Sequence, residues 1–498
     1  MGAASAERLA GMSYISFSYY VFIILLAVLY YVLPKKIRWL VLLLGSGCFY
    51  YLLVDQRRRL LLFAGSILVS YLWGRLLGKQ CKEGKASPRK RKLALLGGIL
   101  LSCGPLLGFR LADFFPGRVP GGSFLATVMP IGLAFYSMQM IAYLADIYRG
   151  EIEPEKHLLK YSLFVSFFPL IIQGPISRFR QLEHQLIEGH SFDWGNIMGG
   201  IQLIIWGFFL KFMIADRAAV IVNEVFDHAR FYSGIFVLVA AVLYSIQLYT
   251  DFLSCVTLSQ GAARLFGIEV IDNFNHPYFA SSIREFWRRW HMSLSSWLRD
   301  YVYIPLGGNR KGKGAKYCNL AVTFAVSGLW HGGGWNYLCW GLLHAVYQIT
   351  GELTLKFRNA CFEKAGLPGS SKIRKFIEVW VTFFLVTMGW ILFRAENLGT
   401  GLRMIGSMLG TCNPWVLFDD SLFRMGLGQK EWEVLFLSLL VLFLVSYAQE
   451  RGVKLCAWFE RQNLVIRWSI YFGAIWSIWI FGTYGFGFSA QDFIYGGF

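Results

Sequence analysis

Two histidines in unusual company are the residues best placed to do chemistry. His291 follows Trp290 in RRWHMSLSSWLRDYVYIPLGG, and His331 follows Trp330 in SGLWHGGGWNYLCW. Imidazole is the side chain best suited to take or give a proton near neutral pH. His331 ends an apolar run and precedes Gly332, Gly333 and Gly334, which weaken a helix and let the backbone open or a substrate approach closely. An ionisable group at membrane depth is costly unless it is hydrogen-bonded or lines a cavity, so it points to function. The chemistry within reach of His331 is general base catalysis, with a structural histidine as the alternative. His291 lies in a basic, aromatic stretch, where an ordinary interfacial polar residue is the alternative. His344 lacks the glycine context and reads as structural.

The elements that must carry these histidines are membrane spans. The 498-residue chain is 56% hydrophobic and only 16% charged, which excludes an ordinary soluble protein. A net charge of +18 suggests nucleic acid at first sight. The Lys and Arg residues, however, sit in loops beside apolar stretches, the pattern of cytoplasmic loops facing anionic headgroups. Nine cysteines include no CxxC pair, and Cys48, Cys103 and Cys339 fall in apolar segments. They read as small buried hydrophobes, not as disulfides or zinc ligands. The opening MGAASAERLAGMSYISFSYY lacks the layout of a removable signal peptide.

Apolar spans are expected at about 15–33, 39–54, 60–77, 93–109, 124–145, 197–214 and 235–253, then near 336–350, 377–393, 434–448 and 470–486. Basic clusters at Lys35-Lys36, at Arg57-Arg58-Arg59 and in KQCKEGKASPRKRK border the first three. The positive-inside rule places the first and third clusters in the cytoplasm and the N-terminus outside, with the Arg57 cluster an exception. Met129-Pro130-Ile131-Gly132 should kink or break the fifth span. The run from Leu163 to Ile172 is short and interrupted by Phe168-Pro169, so it reads as re-entrant or interfacial. The stretch 395–410 is short and amphipathic and reads as a surface helix or a helix turn. The expected fold is all-α, a polytopic integral membrane protein with roughly 11 transmembrane helices plus re-entrant and interfacial ones. It is taken as a single domain over 1–498, with N-terminal spans at 15–272, a core with both histidines at 273–350 and C-terminal spans at 351–498.

The segment SSIREFWRRWHMSLSSWLRD is too charged to span and too aromatic for a solvated loop. At helical spacing Arg284, Trp287 or Arg288, His291 and Leu294 share one face, and Phe286, Trp290, Ser293 and Trp297 another. One amphipathic helix at the cytoplasmic interface is expected. GGNRKGKG at 307–314 nearly matches a phosphate-binding loop but ends in Gly314 where a hydroxyl is needed, and no buried strand precedes it. HExxH, GxSxG and zinc spacings are all missing, so a serine or metal hydrolase is unsupported. His157, His184, His190, His228 and His276 read as solvated or interfacial.

NFNHPYFASSIREFWRRWHMSLSSWLRDYVYIPLGGNR followed by FAVSGLWHGGGWNYLCWGLLHA resembles the membrane-bound O-acyltransferase (MBOAT) family. The similarity is strongest to its bacterial members that O-acetylate alginate and other cell-surface polysaccharides. MPIGLAFYSMQMIAYLADIYRG, FFPLIIQGPISRF, WILFRAENLGTGLRMIGSMLG and the ending FSAQDFIYGGF are similar to that subfamily too. The proteins that transfer D-alanine to teichoic acids share both histidine segments but are usually shorter. One departure is DFLSCVTLSQGA from Asp251, where the family often has a DFSGYSDMA-like segment.

The resemblance implies an MBOAT fold enclosing a tunnel, with His331 catalytic and His291 the second characteristic polar position. Trp330, Trp290, Arg284 and Arg288 are then substrate-binding candidates, the arginines at the mouth for an anionic thioester donor such as acetyl-CoA. It implies no metal and no bound cofactor. Its partners would be an acyl-CoA or acyl-carrier donor, a polysaccharide acceptor and a separate extracytoplasmic acetyltransferase, in the bacterial cytoplasmic membrane. A transporter, suggested by broken helices with buried ionisable groups, and a non-catalytic scaffold for the extracytoplasmic enzyme are the competing classes.

Overall fold

Helices are the only open-ended way for apolar chain to satisfy its own backbone in lipid. In the computed structural model, which describes residues 12–54, 56–82, 87–115, 130–484 and Phe493, every regular element among the described residues is helical. Among the described residues eight helices are long and apolar enough to cross a membrane, against the roughly eleven spans expected along the whole chain. Phe17–Val32 and Leu133–Arg149 stop at 16 and 17 residues. The two helices that flank the Gly332–Gly334 run, Gly312–His331 and Trp335–Leu353, have the length but carry too many polar residues and glycines.

Contacts group the chain into two compact units. The first takes the described residues up to Gly207 together with Cys255–Asp272. It holds α1 (Phe17–Val32), α2 (Arg38–Leu53), α3 (Arg57–Lys82), α4 (Pro88–Phe114), α5 (Leu133–Arg149), α6 (Leu158–Ser166), α7 (Phe179–Glu188) and most of α8 (Trp194–Phe208). Every residue of α5 from Leu133 to Ile147 is buried. That helix starts where the Pro-Gly break was expected: Gly132 takes φ 77°, and a Cβ there would lie 2.1 Å from the Ile171 carbonyl oxygen. Residues 124–129 of the expected span, and the FSAQDFIYGGF ending apart from Phe493, lie outside the described residues. The short element after α6 is broken as the Phe168-Pro169 pair suggested. Its freed carbonyls at Phe168 and Pro169 each accept the Tyr14 hydroxyl at 2.9 Å, and the Phe168 N–H donates to Ser46 Oγ. Cys103 is buried as expected, whereas Cys48 faces outward from α2.

The second unit takes Phe208–Ser254 and the described residues from Asn273 to Tyr484. A widened π turn, Phe209–Ala215, leads into α9 (Asp216–Asp227), and α10 (Ile235–Arg264) enters this unit with its residues up to Ser254. Then come α11 (Ile283–Arg289), α12 (Met292–Leu298), α13 (Gly312–His331), α14 (Trp335–Leu353), α15 (Leu355–Lys364), α16 (Lys372–Arg394), α17 (Leu398–Gly410), α18 (Gln429–Glu450), α19 (Leu455–Glu460) and α20 (Leu464–Phe481). The surface helix expected within 395–410 is α17. The glycine-rich run 307–314 is a turn opening α13, with no strand before it.

In lipid the hydrophobic effect does not press helices together, so small residues that admit close backbone contact must do so. The hairpin of α13 and α14 uses two. A Cβ at Gly328 would lie 2.4 Å from the Tyr337 carbonyl oxygen, and one at Gly341 2.2 Å from that of Phe324. Neither backbone can give way cheaply. Gly341→Ala is therefore expected to destabilise the protein by about 2 kcal/mol or more, read as a lower thermal midpoint in detergent.

Candidate active site

His291 is the residue on which its segment turns. The chain runs through α11 to Arg289, and His291 then takes φ 44°, ψ 54° before α12 begins. The single amphipathic helix expected from spacing is thus two short helices meeting at a left-handed residue, uncommon for a side chain with a Cβ. Asn273 holds that turn. Its carbonyl accepts the Met292 N–H at 2.9 Å, and its Oδ1 accepts the Ser293 N–H at 3.0 Å. The same Oδ1 lies 3.2 Å from His291 Nδ1. A carbonyl oxygen can only accept, so Nδ1 carries the hydrogen and Nε2 keeps the lone pair. Nε2 is buried without a hydrogen-bond partner among the described residues. Burial holds this imidazole well below its ordinary pKa, which keeps it neutral.

His331 is the last residue of α13 and is also buried. Rings enclose it: Trp330 at 4.6 Å, Trp340 at 5.1 Å and Phe393 at 5.3 Å between centroids. The glycines after it serve packing more than opening. A Cβ at Gly332 would lie 2.2 Å from the Tyr337 ring, so the chain leaves His331 through a gap no side chain could share. Trp330 also meets the His291 ring, at 6.0 Å. One indole therefore touches both imidazoles, although forty residues separate them.

The other sequence candidates divide. Trp290 is buried against Phe274 at 5.1 Å, Phe286 at 5.4 Å and Trp390 at 5.0 Å. Arg284 and Arg288 are exposed on α11, Arg284 paired with Glu352 at 2.7 Å. They do not share a face with His291, because the left-handed turn ends the helix that would have aligned them. His344 sits in the same aromatic cluster, its Nδ1 accepting the Trp287 indole N–H at 3.2 Å and its ring 5.3 Å from Trp340.

Sequence reasoning passed over a buried ionic group. Lys211, in the π turn, places Nζ 2.7 Å from Asp251 and 2.9 Å from Asp216, all three buried. Asp251 precedes Phe252, whose ring lies 4.7 Å from His291. The signal was present: a lysine and an aspartate inside apolar runs that otherwise read as spans. Asn273 gave no comparable signal. Among the described residues no cluster of His, Cys, Asp and Glu could hold a metal ion.

The profile of the membrane-bound O-acyltransferase family matches residues 154–394, a range that holds both histidines and the Lys211 group. The chain is 37% identical over 384 residues to the probable alginate O-acetylase AlgI of Pseudomonas fluorescens, covering 76% of this chain and 72% of that protein. The chain belongs to the membrane-bound O-acyltransferase family. It is also 32% identical over 385 residues to the peptidoglycan O-acetyltransferase of Helicobacter pylori, covering 70% of each. The teichoic acid D-alanyltransferase of Streptococcus thermophilus is more distant, at 27% over 281 residues, 53% of this chain and 68% of that protein. Membership makes this membrane protein an O-acyltransferase.

Two outcomes follow from how the acyltransferase holds its site. Asn273→Ala removes the acceptor that the turn and Nδ1 share, and is expected to cost about 1–3 kcal/mol and to lower acyl transfer with it. Lys211→Met leaves Asp216 and Asp251 without the cation between them, and is expected to cost about 3 kcal/mol in thermal or denaturant unfolding.

Proposed function

We propose that this enzyme moves an acetyl group from a cytoplasmic thioester to hydroxyls of an extracytoplasmic polysaccharide, with His331 as general base. The observation that carries the reading is the pair of buried imidazoles joined through Trp330. In the reaction, an acceptor hydroxyl attacks the thioester carbonyl as His331 takes its proton. The new C–O bond forms, the C–S bond breaks, and the proton returns from His331 to the departing thiolate. The closed aromatic box around His331 keeps bulk water from competing for the acyl group. His291 offers the lone pair on Nε2 to the same region as a second polar contact. Trp330 and Trp290 give the substrate channel its walls.

Arg284 and Arg288 stand exposed outside the aromatic cluster, where they suit the phosphates of acetyl-CoA at the donor mouth. A tunnel leading past Trp330 would let donor and acceptor meet from opposite faces of the bacterial cytoplasmic membrane. A separate extracytoplasmic acetyltransferase would then complete transfer to the polymer. The named activities of the alginate and peptidoglycan relatives support acetyl as the group carried.

The deciding experiment offers the purified protein radiolabelled acetyl-CoA and, separately, a D-alanyl carrier protein. Label moving from acetyl-CoA is expected; transfer from the carrier alone would make D-alanine the acyl group. His331→Ala is expected to lower kcat by roughly 10²–10⁴ and, through the cavity it leaves, the thermal midpoint as well, and wild-type turnover in a variant shown to be folded would remove His331 from the chemistry. For His291 two substitutions separate backbone from imidazole. His291→Gly suits the left-handed turn and His291→Ala strains it, so the alanine variant should unfold earlier. Both should lose acyl transfer to a similar extent if the imidazole acts. Near-normal transfer by the glycine variant would leave His291 as a purely structural residue.

A further inference from the structure

Away from the two histidines, α11, α14, α15 and α16 enclose a pocket of ≈ 280 Å³. Arg284, Gly351, Arg358, Phe362, Ile377 and Val381 are among the residues that line it. Its two carboxylates are already matched. Glu352 is held by Arg284 at 2.7 Å and by Lys316, whose Nζ lies 2.6 Å from Oε1. Glu378 is held by Arg374 at 3.0 Å. Arg358 then stands as added positive charge. Its Nη2 donates to the Gly351 carbonyl at 2.9 Å, and its Nε is buried without a hydrogen-bond partner among the described residues. The polar end of the pocket therefore favours an anion.

The other wall is apolar, and its place in the fold narrows the occupant. Ile377 and Val381 belong to the candidate span α16, whose outward face also exposes Phe376, Trp380 and Phe384. That span begins at Lys372, with Arg374 and Lys375 beside it, which marks its basic end as the membrane interface. A soluble phosphate would leave the apolar wall bare. A phospholipid fills both parts, with its phosphate on Arg358 and its chains along α16. Basic residues beside a span at the membrane interface are where anionic headgroups bind. There is also room, since a Cβ at Gly351 would meet nothing within 4 Å.

We infer that this pocket, which lies away from the two histidines and shares only Arg284 with the proposed donor mouth, seats the headgroup of an anionic membrane phospholipid. The full chain is reconstituted in nanodiscs of phosphatidylcholine, with or without roughly 20 mol % phosphatidylglycerol, and thermal unfolding is followed, since a ligand that binds the folded state raises its stability. Wild type is expected to gain about 3 °C with phosphatidylglycerol. Arg358→Gln, which removes the charge, and Gly351→Phe, which fills the space without removing any charge, should each lose that gain. The general attraction of a basic protein to an acidic bilayer is shared by all three proteins, so only the difference between them is read. An equal gain in all three, or none in wild type, overturns the site. If inorganic phosphate or coenzyme A added to phosphatidylcholine discs produces the wild-type gain, the occupant is a soluble phosphate and the lipid assignment fails.

Discussion

The backbones of α13 and α14 can approach as they do only because glycine stands at 328 and 341. Much else in the second unit follows from that contact. It fixes the axial register of the hairpin, and with it the level at which Trp330 and His331 leave α13 and Trp340 leaves α14. From α14, Trp340 stacks on Trp390 of α16 at 5.6 Å, and Trp290 meets the same indole at 5.0 Å. Each such aromatic pair adds about 0.5–1.5 kcal/mol beyond its buried area. In lipid, where apolar area alone gives helices no reason to associate, these contacts and the glycine seam are what hold the cluster.

A cluster so apolar makes each polar group inside it a liability unless its partner is fixed. His291 illustrates the solution. Asn273 supplies one oxygen that serves a backbone N–H and the imidazole together, so the turn and the tautomer are settled by the same atom. Lys211 solves a harder case by drawing two carboxylates to one ammonium at the π turn, a local widening often found where function requires it. Because Asp251 adjoins Phe252, which packs on His291, the ionic group and the imidazole are anchored on adjacent residues of α10.

Much of this was legible in the sequence, for identifiable reasons. The two Trp-His pairs stand out because ionisable residues are rare in apolar runs, and Gly132 and Pro169 announce broken helices because their backbone chemistry allows little else. The break at His291 was hidden. RRWHMSLSSW contains neither glycine nor proline and keeps helical periodicity straight through the turn, while the residue that forces the turn lies eighteen positions upstream. Hydropathy read over a short window likewise marks 336–350 as apolar, while α14 also places Asn336 and His344 inside a protein core.

The same break assigns different labour to residues that spacing had grouped. Had the helix continued, Arg284, Arg288 and His291 would lie along one stripe, and a bound anion on the arginines would favour protonation of the imidazole beside it. The left-handed turn separates them. The guanidiniums of Arg284 and Arg288 stand exposed on α11, while His291 is buried and neutral with its Nε2 lone pair intact. Holding the exposed charge of α11 apart from a buried imidazole leaves burial alone to set the protonation of His291. One strained residue in a short segment achieves that separation, and its cost is offset locally by Asn273.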